Sequence, residues 1–444
     1  MLTKLKQLKS SIHNRLHPEQ LKIIKNIGWL ASERVFRLGV SFVTMAWTAR
    51  YLGVDQFGYF NYAFAFVSMF TPLLQLASDS IIFRDLINHP EKKEEILGTA
   101  FFIQFIIGVI IFCLSTVAVL LFHSSDPLIY KLVIILGTGS CLVSFGVIES
   151  WFNSLLEVKY PIWVRNSVFS LATLSRVILL SIKAPIEYFA WLVVAESLLN
   201  AIGFTIVFRM TGHNILAWRS NWKYAKELMK VSFPLIFSSL AIAVYMRIDL
   251  IMLGQLSSPQ AVGTYSAAVK LSELWPFAST MLVKSIAPSI IAAKKVSEES
   301  YYRKLQNLCN LQAILVYCIA IPMTFLATPF VVLVFGKDYA PSGIVLSIHI
   351  WSSMFLFLGY VKEIWITTEG KTWFAFAFTI VGATMNVLLN FILIPPYKEI
   401  GAAVATVISY CFADYVMCFV YPSVRRFGWM MTQAMSLNLI KPKF

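Results

Sequence analysis

Leu52-Gly53, followed by Gly58-Tyr59-Phe60-Asn61-Tyr62-Ala63, returns later in the chain as Leu253-Gly254, followed by Gly263-Thr264-Tyr265-Ser266-Ala267-Ala268. Gly53 and Gly254 are 201 residues apart and Gly58 and Gly263 are 205 apart, close to half of the 444 residues. Both copies lie between long apolar runs. A second echo has a similar offset: Glu149-Ser150-Trp151 and Glu363-Ile364-Trp365 are 214 apart. Repeated halves in a very hydrophobic chain indicate two helical bundles facing each other across a path for a substrate.

Working outward from the repeat, the composition names the solvent. Hydrophobic residues make up 58% and charged residues 14% of the chain, against roughly 45–50% and 25% in a soluble domain. Such a chain cannot cover itself with polar groups and belongs in a bilayer. Twelve segments are long and apolar enough to span one: 28–50, 59–82, 97–122, 128–152, 160–182, 186–208, 228–253, 262–292, 307–335, 342–366, 372–394 and 400–421. The first, fifth and eighth carry charges, but the repeat keeps them, because each half then holds six spans. The expected fold is therefore an all-α integral membrane protein of about twelve transmembrane helices in two pseudo-symmetric six-helix bundles. Residues 1–27 read as a basic cytosolic leader that stays on the protein and 28–208 as the first lobe. Residues 209–227 read as a cytosolic linker and natural hinge, 228–421 as the second lobe and 422–444 as a cytosolic tail.

Basic residues set the orientation. With the N-terminus inside, the cytosolic segments collect 23 Lys and Arg, from Lys4 through Lys443, and the opposite loops three, Lys183, Lys337 and Lys398, or five with the helix-end residues Arg50 and Lys131. The expected topology is N-in and C-in. The same asymmetry accounts for most of the formal net charge of +14 without invoking nucleic acid. The six cysteines all fall in apolar runs with no Cys-x-x-Cys pair, so neither a disulfide framework nor a metal site is expected.

Ionisable residues inside a span cost roughly 2.5–3.5 kcal/mol on insertion scales, so they face a wet cavity or one another. Arg34 and Arg37 share one face of the first span. Arg165 and Arg176 lie on the fifth, Arg247 and Asp249 on the seventh, and Lys270 and Lys284 on the eighth. Fourteen residues is nearly four helical turns, which puts the two lysines on a common face of a continuous helix. One reading makes Arg34, Arg37, Arg176, Arg247, Lys270 and Lys284 a track for an anionic head group such as a lipid pyrophosphate. The other is pairing with acids, Lys270 with Glu273 for instance, and snorkelling of Arg165 and Lys362 near the interface. Glu196 and Asp414 are the candidate sites for a coupling proton or sodium ion. Eight tryptophans, Trp151 and Trp365 among them, fall near span ends and fit an aromatic belt. Pro276 and Pro288 on the eighth span permit flexing. No catalytic constellation and no phosphate-binding glycine loop is present, so the chain reads as a transporter without a cofactor, driven by an ion gradient, the substrate gradient or downstream consumption.

Several motifs resemble a known family. Asn26-Ile27-Gly28-Trp29-Leu30 through Arg50-Tyr51-Leu52-Gly53-Val54-Asp55-Gln56-Phe57-Gly58-Tyr59 is similar to the opening of the Wzx-type polysaccharide repeat-unit flippases. Asn386-Val387-Leu388-Leu389-Asn390, Ile394-Pro395 and Gly401-Ala402-Ala403-Val404-Ala405-Thr406 resemble another hallmark of that family. The resemblance implies a member of the multidrug/oligosaccharidyl-lipid/polysaccharide exporter superfamily, with two six-helix bundles around a V-shaped cavity. It implies that the chain moves an undecaprenyl-pyrophosphate-linked oligosaccharide of O-antigen type across the cell inner membrane, beside the polymerase and chain-length regulator of the same pathway. It also implies cationic residues on the first and eighth spans as substrate contacts, where Arg34, Arg37, Lys270 and Lys284 lie. The alternatives are a cation-coupled multidrug exporter of the same superfamily and, given loops too short to hold acceptor and catalytic residues, less readily a membrane glycosyltransferase or polymerase.

Overall fold

The computed structural model describes residues 18–122 and 126–437, with side chains described from residue 37 onward. The chain divides into two compact units, 1–48 and 49–444. In the first, the described residues 18–48 are helical, and the Thr44 and Thr48 hydroxyls donate back to the carbonyls of Val40 and Thr44 at 2.9 and 2.7 Å.

The helices of the first half are α1 (Pro18–Ser68), α2 (Asp79–Asn88), α3 (Lys93–Phe122), α4 (Pro127–Thr138), α5 (Val147–Ser154), α6 (Lys159–Ser181) and α7 (Ile186–Met210). The second half begins with α8 (Trp222–Leu256), α9 (Pro259–Ser272), α10 (Pro276–Lys294) and α11 (Glu298–Phe335). It continues with α12 (Ser342–His349), α13 (Ser352–Thr368), α14 (Thr372–Tyr410), a π-helical turn at Cys411–Val416, α15 (Met417–Val420) and α16 (Arg425–Met435). Local chemistry sets many of the starts. Asp126 accepts from the amides of Leu128 and Ile129 ahead of α4, Asn221 from those of Lys223 and Tyr224 ahead of α8, and Ser258 from that of Ala261 ahead of α9. Pro127 and Pro259 occupy first turns, where no amide hydrogen is needed.

Among the described residues, nine segments are long and apolar enough to cross a membrane. The tally differs from the expected twelve for two physical reasons. Arg37–Asn88 and Thr372–Val420 each count once, although the backbone breaks at Gly53 (φ 71°) and at Lys398 (φ 50°) within them. The helix α6, with Lys159, Arg165 and Arg176, falls short on apolarity. Large apolar side chains stand exposed on the outside, Leu121 at 74% and Phe325 at 79%, as expected where lipid is the solvent.

The expected hinge at 209–227 is pinned to the start of α3. Arg219 donates its amide to the Glu94 carbonyl, and Asn221 donates to Thr99 Oγ1 and Glu95 Oε1. A Cβ on Gly98 would come within 2.6 Å of the Arg219 carbonyl oxygen. Past residue 422, where a tail is expected, α16 buries Phe427, Met430 and Met431, and Gln306 and Tyr317 of α11 donate to the carbonyls of Met430 and Met435.

Candidate functional site

The two copies of the opening motif pack on each other. A Cβ on Gly58 would lie 1.9 Å from the Pro259 carbonyl oxygen, and a Cβ on Gly263 2.0 Å from that of Val54. The Tyr62 ring packs against Gly254, and its hydroxyl accepts from Gln255 Nε2 at 3.1 Å. Around this contact Arg50 donates to the carbonyls of Leu333 and Val334, and Tyr339 donates to that of Ala49 at 2.8 Å. The motif thus fastens the halves at one end. The second echo is structural as well: Trp151 and Trp365 are 5% and 1% exposed, and each ring carries a lysine, Lys93 at 5.5 Å and Lys371 at 4.6 Å. These two tryptophans are cation-π partners in the interior, which corrects their assignment to an aromatic belt.

The polar centre of the second half is Asp249, on α8. Its Oδ2 accepts from the Tyr265 and Thr406 hydroxyls at 2.7 and 2.8 Å, and its Oδ1 accepts from Asn390 Nδ2 at 2.7 Å. Asn390 also donates to Asn386 Oδ1 at 2.9 Å. Three helices, α8, α9 and α14, converge on this carboxylate, and its hydrogen-bond partners here are neutral. Asn390 Oδ1 and Asn386 Nδ2 remain buried without partners. Sequence reasoning named Asp249 only as an intramembrane acid and quoted the two asparagines and Thr406 only as family motifs. The i,i+4 spacing of Asn386 and Asn390 was the available signal.

Two cavities adjoin this centre. One, of about 300 Å³, is lined by Arg247, Asp249, Tyr265, Glu273 and His349 among others. The other, of about 420 Å³, includes Phe376, Lys362, Glu363 and Asp414 in its lining. They share Tyr245, Met246, Leu356, Tyr360 and Tyr410. Beside them His349 Nδ1 is 2.8 Å from Ser272 Oγ.

The candidate cations are dispersed among these features. Arg247 faces Glu273 at 3.9 Å. Lys270 is half-buried in the last turn of α9, in the field of Glu273 and Arg247. Lys284 is exposed on α10 and lines a separate cavity of about 350 Å³ with Glu363 and Tyr360. The common face expected for the two lysines is absent, because a turn at 273–275 and Pro276, which has no amide hydrogen, separate α9 from α10. Arg176 is half-buried in the field of Glu196. Arg37 is half-buried in the first unit, and the side chain of Arg34 lies outside the described residues.

Asp414 is not available as an open ion site. It pairs with Lys362, whose Nζ donates to Asp414 Oδ1 at 2.8 Å and to the carbonyls of Asp414 and Ala413 at 3.1 and 3.4 Å. Those carbonyls belong to the π-helical turn, and the ammonium also stands 4.5 Å over the Phe378 ring. Lys362 is 4% exposed, so it is a buried ion-pair residue and does not snorkel. Arg165, expected near the interface, pairs with Glu149 at 2.5 Å. Among the described residues no cluster of three or more His, Cys, Asp or Glu could hold a metal.

Comparison with known proteins supplies the lineage. Residues 23–293 match the family described as polysaccharide biosynthesis protein, and residues 234–392 match MatE. The capsular polysaccharide biosynthesis protein CapF of Staphylococcus aureus is 21% identical over 402 residues, covering 87% of this chain and 96% of that protein. The lipid II flippase MurJ, in an inward closed conformation, superposes with a TM-score of 0.73 at 15% identity, covering 92% of this chain and 91% of that one. An inward-facing multidrug resistance MATE family transporter of the MOP superfamily gives 0.72 at 14% identity, with 91% and 96% covered. With residues 23–293, more than half of its length, matched and a fold shared with MurJ and MATE, this multi-pass membrane chain belongs to the polysaccharide biosynthesis protein family.

Proposed function

We propose that this protein is a flippase that carries undecaprenyl-pyrophosphate-linked oligosaccharide repeat units, of O-antigen or similar surface polysaccharide, across the cell inner membrane by alternating access. The observation that carries the reading is the family match over residues 23–293, supported by the likeness to CapF along nearly all of that protein. Two six-helix lobes, 28–208 and 228–421, with both termini cytosolic, would move the head group through a wet cavity while the lipid tail stays in the bilayer. Arg34, Arg37, Arg176, Arg247, Lys270 and Lys284 remain the candidate contacts for the pyrophosphate. The pathway's polymerase and chain-length regulator are the expected protein partners.

Coupling to a proton or sodium gradient belongs to the same proposal. Its best-supported seat is the Asp249 cluster, ahead of Asp414, which is already paired, and of Glu196, which lies in the field of Arg176. Asp249→Asn keeps the size and hydrogen-bonding shape while removing the charge.

A second reading, a cation-coupled multidrug exporter, is favoured by the MatE match over residues 234–392. Deletion separates the two. The flippase reading expects lipid-linked repeat units to accumulate on the cytosolic face and surface polymer to vanish. Normal polymer in a deletion strain with no second flippase, together with new drug sensitivity, would replace it by the exporter. In reconstituted vesicles, Asp249→Asn should abolish the stimulation of transport by an imposed sodium or proton gradient. Unchanged stimulation moves the coupling site elsewhere.

A further inference from the structure

The two adjoining cavities of the second half share a wall of tyrosines. Tyr245 and Tyr410 lie with ring centroids 4.7 Å apart at 48°, and Tyr360 lines both spaces with them. Tyr245 is seated on α14 at Gly382, where a Cβ would come within 2.9 Å of its ring. Its hydroxyl is buried and has no hydrogen-bond partner in the protein. A buried hydroxyl left unpaired is costly, so a group from outside the chain is expected to meet it.

The walls also specify which chemistry that group brings. Apart from Asp249, proposed above as the seat of a coupling proton or sodium ion, three carboxylates, Glu273, Glu363 and Asp414, line the two cavities against two cations, Arg247 and Lys362. Lys362 is consumed by Asp414, and Arg247 faces Glu273. A pyrophosphate would meet an excess of negative charge here. A sugar ring would not: its hydroxyls donate to carboxylates and phenol oxygens, its C–H face packs on aromatic rings, and it is neutral. Each cavity is close to or within the range, from roughly 300 Å³ upward, of sites for small organic ligands.

We propose that this tyrosine-lined double cavity is the sugar subsite of the substrate, holding a saccharide ring against Tyr245, Tyr360 and Tyr410 with Glu273 and Glu363 as acceptors. The pyrophosphate of the same lipid is held outside it, by the candidate cations that do not line these two cavities, which takes Arg247 out of the phosphate contacts and makes it part of the sugar subsite. The assignment rests on the flippase reading and deepens it by separating sugar recognition from phosphate recognition.

The test is binding to the full chain in nanodiscs. The probes are the host's own lipid-linked oligosaccharide, bare undecaprenyl pyrophosphate and tetraphenylphosphonium. The wild type should bind the sugar-bearing lipid about 10-fold more tightly than the bare one. Tyr245→Phe keeps the ring and removes only the unpartnered hydroxyl. It should weaken binding of the sugar-bearing lipid roughly 3- to 10-fold, leave the bare lipid unaffected and leave Tm unchanged or higher. Equal wild-type affinity for both lipids overturns the subsite, as does an equal effect, or none, of Tyr245→Phe on the two. Tetraphenylphosphonium bound at Tyr245 and not displaced by the oligosaccharide makes the cavity a site for organic cations. Failure of the flippase reading shows separately, as wild-type protein in vesicles that does not move the labelled lipid-linked oligosaccharide.

Discussion

Gly58 and Gly263 hold equivalent places in the two halves, and each presses its bare α-carbon against the other half: Gly58 against the Pro259 carbonyl, Gly263 against that of Val54. Val54 and Pro259 are themselves 205 residues apart, as Gly58 and Gly263 are. The contact is therefore one interaction made twice about a pseudo-two-fold relation. It explains why the motif is repeated: each copy is the other's binding surface.

Replacing either glycine by alanine puts a methyl group within 2.0 Å of a backbone oxygen, and the helices must separate. Gly58→Ala and Gly263→Ala should each cost about 1–3 kcal/mol, seen as a lower Tm in detergent. Gly39→Ala, where a Cβ meets nothing within 4 Å, is the control and should leave Tm nearly unchanged. Equal melting of all three would separate the motif from the fold.

Lys362 and Asp414 offer a second measurement. Removing one partner of a buried ion pair strands the other charge, a loss of about 3–5 kcal/mol, whereas replacing both with apolar residues is far less costly. Lys362→Met and Asp414→Leu should each lower Tm sharply, and the double variant should recover much of the loss. Additive losses would show that the pair does not act as a unit.

The 209–227 segment should behave as a fixed clamp. Asn221→Ala removes the cap of α8 and the bond to Glu95 together, for an expected loss of about 1–2 kcal/mol. Proteolysis near residues 209–227 should increase in this variant. Unchanged protection would restore the segment's reading as a free hinge.

His213, in the same segment, gives a pH dependence. It packs against Trp151 and Phe208, and its Nδ1 is 3.3 Å from Lys93 Nζ. Burial first, and the Lys93 ammonium second, hold its pKa below the usual imidazole value of 6.5. The unfolded chain therefore binds more protons at His213 than the folded one between the two values. Stability from this group is complete above about pH 6.5 and is lost as pH falls from there through the lowered folded value. Tm measured from pH 7.5 to pH 5 should fall, and His213→Phe should flatten the part of the curve below pH 6.5. An identical slope in the variant would assign the dependence to other groups.

Much of the architecture is legible in local sequence. Apolar runs, capping residues such as Asp126 and Ser258, and the twin Gly motifs mark the helices and the halves without reference to anything distant. The site is legible only in pieces. Asp249, Asn386, Asn390 and Thr406 can each be singled out, yet the contact among them joins α8 and α14 across 141 and 157 residues. The break between Lys270 and Lys284 was written in Pro276 but outweighed by the hydropathy of the surrounding run.

The sequence by itself determined a helical membrane chain of two related halves, because hydropathy, turn chemistry and repeats are properties of neighbouring residues. Only the tertiary structure decided which charges are spent on one another. Lys362 and Asp414 are 52 residues apart and 2.8 Å from each other, and a buried charge takes its meaning from what lies within a few ångströms of it, since water is not there to screen it.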